Sequence, residues 1–459
     1  MRNKNKSISK NKKTQFKYLF IIILLVGILL RTYDLSSENI SFDEANELIF
    51  KGTPNSDITN PPFYYLFLNY WVRFFGDNEF SIRFPSVIFG VLSVLALYYL
   101  ANLLFNKRIA LLSTLILAIN PFHIFFSQQA RMYSLFTLFS LLSLFYFFKV
   151  LKEKKKINWW FYIIFNLLNL YTHYFAIFVL LVEFLYFVLY YKNFKVKFKY
   201  FMLTNFVILA LFSPSFFKIY NGLLSKTSDF NWGLKPSEYF ISIFNSFLGW
   251  NILFTMIIFL LFLFGLLKLD KKTNNFGLLY VLLPIIIGFF LSFKMPIVPK
   301  YFIFIVPVYI VFISKGLINI KYKRIQLFLV IFILLISGFE LADYYFNPYN
   351  PQWKESVEYI GNKIQKEDVI LLGDFTKQPF EYYYKGDLTK IKLWPSVDIL
   401  EKRTFYNNLK PKLNVSRVWL ILFSDFKNDR YYKYRLEQDF KLIESKQFIG
   451  VSVNLYEKI

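Results

Sequence analysis

Residues 252–267 read ILFTMIIFLLFLFGLL, sixteen consecutive positions without a charged side chain. The hydrocarbon core of a bilayer is about 30 Å thick and a helix rises about 1.5 Å per residue, so about 20 mainly apolar residues cross it. With their flanks, Ile252–Leu267 and the similar runs Phe20–Leu30, Met132–Phe148 and Leu327–Ile336 reach that length. Backbone N–H and C=O groups in hydrocarbon need partners within the segment, which predicts helices. The whole chain shares the bias: 56% of its 459 residues are apolar and 22% aromatic, with 59 Phe. Soluble domains are nearer about 45–50% apolar. The sequence therefore predicts a polytopic α-helical membrane protein.

Charged residues punctuate the apolar runs and set their sides. The first 17 residues hold seven Lys or Arg and no acid, and residues 18–30 continue as an unbroken apolar run ending at Arg31. A signal peptide is one reading of this pattern. The missing small-x-small cleavage site favours an uncleaved anchor helix after a basic cytoplasmic tail at 1–15. Counting that anchor, eleven candidate spans emerge, at 16–33, 81–105, 109–127, 131–149, 157–173, 174–191, 200–217, 240–267, 276–293, 300–319 and 324–343. One set of connections is basic: Lys107-Arg108, Lys152–Lys156, Lys192–Lys199, Lys268–Lys272 and Lys321–Arg324. The alternate set holds the acidic first loop, Gln128–Arg131, His173 in a tight turn, Lys218–Tyr239 and Lys294–Lys300. The positive-inside rule places the basic set and the N-terminus in the cytoplasm of a cell membrane, and an odd span count places the C-terminus outside.

Two segments are not spans. Loop 34–80 carries the acids Asp34, Glu38, Asp43, Glu44, Glu47, Asp57, Asp77 and Glu79 against Lys51 and Arg73. Its stretch Phe63–Phe75 is too short to cross and reads as an interfacial helix. The transmembrane region is thus expected over 16–343. Beyond it, 344–459 is mostly soluble in composition and reads as a small extracytoplasmic α/β domain. Strands are predicted at Val369–Leu372, Val418–Phe423 and Val451–Leu455, and helices at Trp353–Gln365 and Tyr431–Phe440. The chain has no Cys, which excludes disulfides and thiol chemistry, and a total of two histidines, His123 and His173, argues against a His-based metal cluster. The net charge of +24 lies in short clusters between apolar runs, a pattern of membrane topology and not of nucleic-acid binding.

The chemistry-bearing segment is Ser41-Phe42-Asp43-Glu44-Ala45, just past the first span. A carboxylate beside hydrocarbon has raised proton affinity and can take a proton from an attacking hydroxyl. An isolated Asp-Glu pair is more often a solvated loop or a helix N-terminus carrying acids. This pair is not isolated. Downstream come, in order, Asn60-Pro61-Pro62-Phe63, then Gly76 through Arg83-Phe84-Pro85-Ser86, Asn120-Pro121-Phe122-His123, Gln128-Gln129-Ala130-Arg131-Met132-Tyr133 and Tyr171-Thr172-His173-Tyr174.

This succession resembles the GT-C membrane glycosyltransferases, in particular those similar to protein O-mannosyltransferases and lipid A aminoarabinose transferases. The resemblance is dense over 31–175, looser to Tyr345 and absent beyond. It implies a GT-C-like bundle of about 11 transmembrane helices, Asp43 as the catalytic acid/base with Glu44 supporting it, and a polyprenyl- or dolichyl-phosphate-linked sugar as donor. The acceptor it implies is a hydroxyl on a glycan, lipid or protein at the outer face. Asn60 stands where the family often has His, and Gln129 where it often has Glu. The second departure argues against a metal or acid function there. No cofactor is implied, and a divalent cation requirement stays open.

Transfer from a lipid phosphate also needs cations for the departing phosphate. Arg131 and Lys300 open the fourth and tenth expected spans at the outer boundary and are assigned that role, with Arg83 third. Snorkelling to the head groups is the competing account of Arg131 and Lys300, and for Arg83 it is fixing the loop to the second span. Tyr133, Tyr301, Gln128 and His173 lie beside them in sequence or at the same boundary and complete the candidate substrate site. No metal ligands are assigned. Glu183, well inside the sixth span, reads as a residue paired with a neighbouring helix. A transporter or flippase of lipid-linked saccharides is the alternative function. It would call for midplane substrate charges and broken helices in repeated halves. A non-catalytic scaffold is a third.

Overall fold

Part of the acidic loop, Ser36–Thr53, groups with the C-terminal residues. The structure, a computed structural model, describes residues 2–49, 61–225, 233–248, 251–267, 271–373, 375–393, 399–423 and 430–459. Asp57 and Asn60 of the first loop lie outside these residues. The chain divides into two units: Met1–Leu35 with Pro54–Tyr345, and Ser36–Thr53 with Phe346–Ile459. The acidic first loop, read from sequence as one piece at 34–80, is thus shared between them.

The helices up to Phe346 are α1 (Arg2–Thr32), α2 (Phe42–Ile49), α3 (Phe63–Phe75), α4 (Glu79–Leu104), α5 (Lys107–Ala118), α6 (Pro121–Ser127), α7 (Tyr133–Lys152), α8 (Lys156–Leu170), α9 (Ala176–Tyr190), α10 (Phe198–Ser225), α11 (Tyr239–Leu248), α12 (Ile252–Leu266), α13 (Lys271–Leu291), α14 (Val306–Asn319) and α15 (Lys323–Phe346). All but α2 belong to the first unit. Among the described residues eight helices are long and apolar enough to cross a membrane, or ten if the bent pairs α5–α6 and α11–α12 each count as one. The difference from the eleven expected lies at 157–173. There α8 has 15 residues, which at about 1.5 Å each fall short of the hydrocarbon thickness.

The bend of 61° between α5 and α6 arises from Asn120-Pro121. The Asn120 side chain accepts a hydrogen bond from His123 N at 2.8 Å, and Pro121 opens α6 where no N–H is needed. The stretch Phe63–Phe75 forms α3 with the expected bounds; Tyr64 and Leu68 are buried while Leu66, Tyr70 and Phe74 are exposed. Gly76 ends it at φ 82°, a left-handed conformation that a side chain resists.

Where bundle helices approach closely, the contact residues are small. A Cβ on Gly265 of α12 would lie 1.9 Å from Phe312 O of α14, and one on Gly316 of α14 would lie 2.2 Å from Leu261 O. Backbones in such contact are the usual gain from Gly in helix pairs. Polar side chains tie α7, α8 and α9 together. Glu183 accepts from Ser143 Oγ at 2.6 Å and from Asn166 Nδ2 at 3.3 Å, and about one turn away Asn169 Nδ2 donates to Ser140 Oγ at 3.1 Å. Glu183 is thus paired with two neighbouring helices.

The second unit is a sheet covered on both faces. Its strands are β1 (Val369–Leu372), β2 (Lys390–Lys392), β3 (Arg417–Phe423), β4 (Phe440–Phe448) and β5 (Val451–Lys458), in the order β2-β1-β3-β5-β4. β1 pairs in parallel with β2 and β3, while β5 runs antiparallel to β3 and β4. Side chains alternate between faces. Ile370, Leu372, Trp419 and Ile421 pack with Trp353 and Ile360 of α16 (Trp353–Gly361) and Phe380 of α17 (Lys377–Tyr383). Val369, Leu371, Val418 and Leu420 pack with Tyr406 and Leu409 of α18 (Ile399–Leu409) and Tyr432 and Leu436 of α19 (Arg430–Leu436). The helix expected at Tyr431–Phe440 stops at Leu436, and strands β2 and β4 add to the three expected from sequence.

Candidate active site

In the membrane unit the start of α7 gathers charge around one aromatic ring. Tyr133, the first residue of α7, is buried. The Arg131 guanidinium lies 5.9 Å from its ring centroid and the Lys300 ammonium 5.6 Å. Both distances fall within cation–π range. Lys300 and Tyr301 stand in the 3₁₀ turn Pro299–Ile305 that leads into α14. In the turn between α8 and α9, His173 lies 5.9 Å from Tyr133 and 5.6 Å from Tyr301, centroid to centroid. It stacks on Phe136 at 4.6 Å with the planes 8° apart. Its Nδ1 accepts from Phe175 N at 3.1 Å, which leaves the proton of the neutral ring on Nε2. Burial, with Arg131 and Lys300 adding their field, pulls the His173 pKa down to about 3, so the ring is neutral at ordinary pH. Arg131, Tyr133, His173, Lys300 and Tyr301, separated by up to 170 positions in sequence, thus form one cluster of two cations, two phenols and a neutral imidazole. Such a set suits an anion whose charge grows during reaction.

The acids stand in the second unit. α2 begins with a capping box: Ser41 Oγ accepts from Glu44 N at 3.2 Å, and Glu44 Oε2 accepts from Ser41 N at 3.0 Å and Ser41 Oγ at 3.1 Å. Glu44 is fully buried in this arrangement and is occupied with holding the helix start. Asp43, one residue earlier, is only partly buried. Glu47, one turn after Asp43, is buried as well. Among the described residues no group of three or more His, Asp or Glu is arranged to hold a metal ion.

Residues 59–217 match the family described as dolichyl-phosphate-mannose-protein mannosyltransferase. No curated protein matches the chain in sequence. The fold is similar to that of ArnT from Cupriavidus metallidurans in the apo state, with a TM-score of 0.65 at 11% identity over 97% of this chain and 98% of that one. The same protein bound to undecaprenyl phosphate gives 0.64 at 12% identity, over 96% and 98%. The archaeal oligosaccharyltransferase AglB from Archaeoglobus fulgidus, in complex with an inhibitory peptide and a dolichol-phosphate, gives 0.53 at 13% identity over 89% and 69%. The chain carries the GT-C superfamily fold.

Within the GT-C fold, Arg83 and Gln128, also assigned to the site from sequence, bond to the backbone at and just after the end of α1. Arg83 Nη1 donates to Leu35 O at 3.1 Å, and Gln128 Nε2 donates to Tyr33 O at 2.7 Å and Arg31 O at 3.2 Å. Gln128 thereby serves the last-turn carbonyl of Arg31, which has no partner inside α1, and both side chains hold the turn that follows the helix, where Tyr33 and Leu35 lie. Arg31 does the same for a broken span: fully buried, it donates to Ala118 O at 2.8 Å, Leu117 O at 3.1 Å and His123 Nδ1 at 2.9 Å. Carbonyl ends of helices carry partial negative charge, which makes this a favourable place for a buried guanidinium. Ser86 and Tyr64 join the site from the structure alone. The Ser86 hydroxyl donates to Arg131 O at 3.3 Å and lies 3.1 Å from Tyr64 Oη, so the Pro-Ser end of the 83–86 motif supports the backbone of Arg131. The motif itself is the signal in the sequence; its partner is visible only in three dimensions.

Proposed function

We propose that this chain is a glycosyltransferase that moves a sugar from a polyprenyl- or dolichyl-phosphate-linked donor to an acceptor hydroxyl outside the cytoplasm, with inversion at the anomeric carbon. The observation that carries the reading is the convergence of Arg131 and Lys300 on Tyr133, two cations of the kind a departing lipid phosphate requires. The lipid phosphates bound by ArnT and AglB support the donor class. In the proposed step Asp43 removes the acceptor's hydroxyl proton, and that oxygen attacks the anomeric carbon. The bond from this carbon to the phosphate oxygen breaks, and its electron pair leaves with the lipid phosphate. Arg131 can meet the growing charge through two parallel hydrogen bonds, Lys300 as a point charge. Glu44 supports Asp43 by holding the first turn of α2.

Asp43→Asn tests the base. Asn keeps size and hydrogen bonding but cannot accept the proton, and general-base catalysis is worth about 10²–10⁴ in rate. Single-turnover transfer from a synthetic polyprenyl-phosphate sugar should fall by that factor while donor binding persists. Near-full activity in the purified variant would assign Asp43 a structural role.

A further inference from the structure

The segment that carries Asp43 is fastened to the C-terminal domain by residues more than three hundred positions away. Asn39 lies at the centre. Its Nδ2 donates to Glu355 Oε2 at 3.0 Å, its Oδ1 accepts from Lys354 N at 2.7 Å, and its own carbonyl accepts from Asn350 Nδ2 at 2.8 Å. On one side Asn350 N donates to Glu38 Oε2 at 3.1 Å; on the other Ile40 N donates to Tyr383 Oη at 2.9 Å. Phe42 meets Phe375 edge to face at 4.8 Å, and Ile40, Ala45 and Leu48 are buried. Ile40 N–H, on a fully buried residue, has its partner only because the Tyr383 hydroxyl is there, and a buried donor left unpaired is costly. Helix α2 has just eight residues, too few to hold its own shape in water.

From this we infer that Asn39, Asn350 and Tyr383 are positioning residues, and that one role of the C-terminal domain is to hold the acidic helix so that Asp43 is presented in a fixed geometry. The inference rests on the reading of Asp43 as the base. A domain that lies outside the motif succession of 31–175 thereby becomes part of the catalytic apparatus. It does so through hydrogen bonds to neighbours of the base.

The prediction is a separation of kcat from KM. Tyr383→Phe and Asn39→Ala should lower kcat by about tenfold or more, because small misplacements of a reacting group are expensive, and leave KM for the lipid-linked donor nearly unchanged. Amide hydrogen exchange over 42–48 should speed up in both variants. Asn39→Asp sets a second carboxylate against Glu355 and should also lower kcat, whereas adding Glu355→Gln restores an amide–carboxylate pair of reversed polarity and should return the rate. Lys363→Ala, which breaks an exposed ion pair to Glu444 elsewhere in the same domain, is the control and should leave kcat alone. Wild-type kcat in both Tyr383→Phe and Asn39→Ala would overturn the inference, as would losses that merely track thermal stability and are not restored by Glu355→Gln. Asp43→Asn in the same assay tells the two ideas apart. Should that variant stay active, the base reading falls, and unchanged exchange over 42–48 in Tyr383→Phe would then sink the holding role too.

Discussion

At the residue scale, the two cations around Tyr133 are distinguishable from ordinary interfacial lysines and arginines by what replaces them. A snorkelling Arg needs only its charge, so Arg131→Lys would be nearly silent. A phosphate clamp needs the planar fork, so the same change should slow transfer clearly, with Lys300→Arg milder. Arg131→Met and Lys300→Met should each cost more turnover than expression, read by single-turnover kinetics in nanodiscs; unchanged rates for both would return these residues to the interface. His173 gives a pH prediction. Its folded pKa of about 3 lies below the ordinary value of 6.5, so on acidification the unfolded chain takes up a proton that the folded chain refuses. Stability is therefore whole above about pH 6.5 and declines as pH falls toward 3, by about 2 kcal/mol at pH 5. The unfolding midpoint of the wild type should drop between pH 7 and 5, and His173→Phe should remove part of that drop; an identical drop in both would clear His173. Arg131, Tyr133 and His173 are readable from sequence because they sit in dense motifs. Lys300 and Tyr301 are readable only from their position at a span end. Tyr383 is not readable, since its one relevant bond reaches Ile40 across 343 positions and carries no local pattern.

At the scale of elements, hydrophobic length and caps account for most of what the sequence discloses. α3 and β1 begin and end where their composition changes, and Asn120-Pro121 explains a break inside what reads as one continuous apolar span. The edge strand β4 escapes because its faces are largely exposed and its residues, Lys441 to Gln447, lack the apolar alternation that marks a half-buried strand. Helix crossings are equally silent, since a glycine in an apolar run does not reveal what faces it. The crossing of α12 and α14 can be tested against a glycine with open surroundings. Gly265→Ala would thrust a methyl group onto the backbone of α14 and should destabilise the protein by about 1–3 kcal/mol. Gly338→Ala, in α15 with no atom within 4 Å of the new Cβ, should instead stabilise it by about 0.5–1 kcal/mol through the lost flexibility of glycine. Thermal unfolding in one detergent compares the two, and shifts of the same sign would contradict this packing.

At the scale of the molecule, the division into two units turns membrane sidedness into a test with an internal check. The chain has no Cys, so single thiols can be introduced without background. Ser37 belongs to the acidic segment and Lys446 to strand β4, yet both are exposed residues of the second unit. The fold therefore requires positions 37 and 446 to share one compartment whichever side that is. The charge pattern makes the separate choice of side, since Lys154 stands in a basic connection and the positive-inside rule assigns it to the cytoplasm. Ser37→Cys and Lys446→Cys should accordingly react with an impermeant thiol reagent added to intact cells, while Lys154→Cys should react only after permeabilisation. Labelling of 154 in place of 37 and 446 would keep the fold and invert the topology, moving Asp43 to the cytoplasmic side and away from the proposed donor head group. Opposite labelling of 37 and 446 would be more serious. It would break the second unit itself, and with it the hydrogen bonds that join Asn39 to Asn350 and Lys354 and Ile40 to Tyr383.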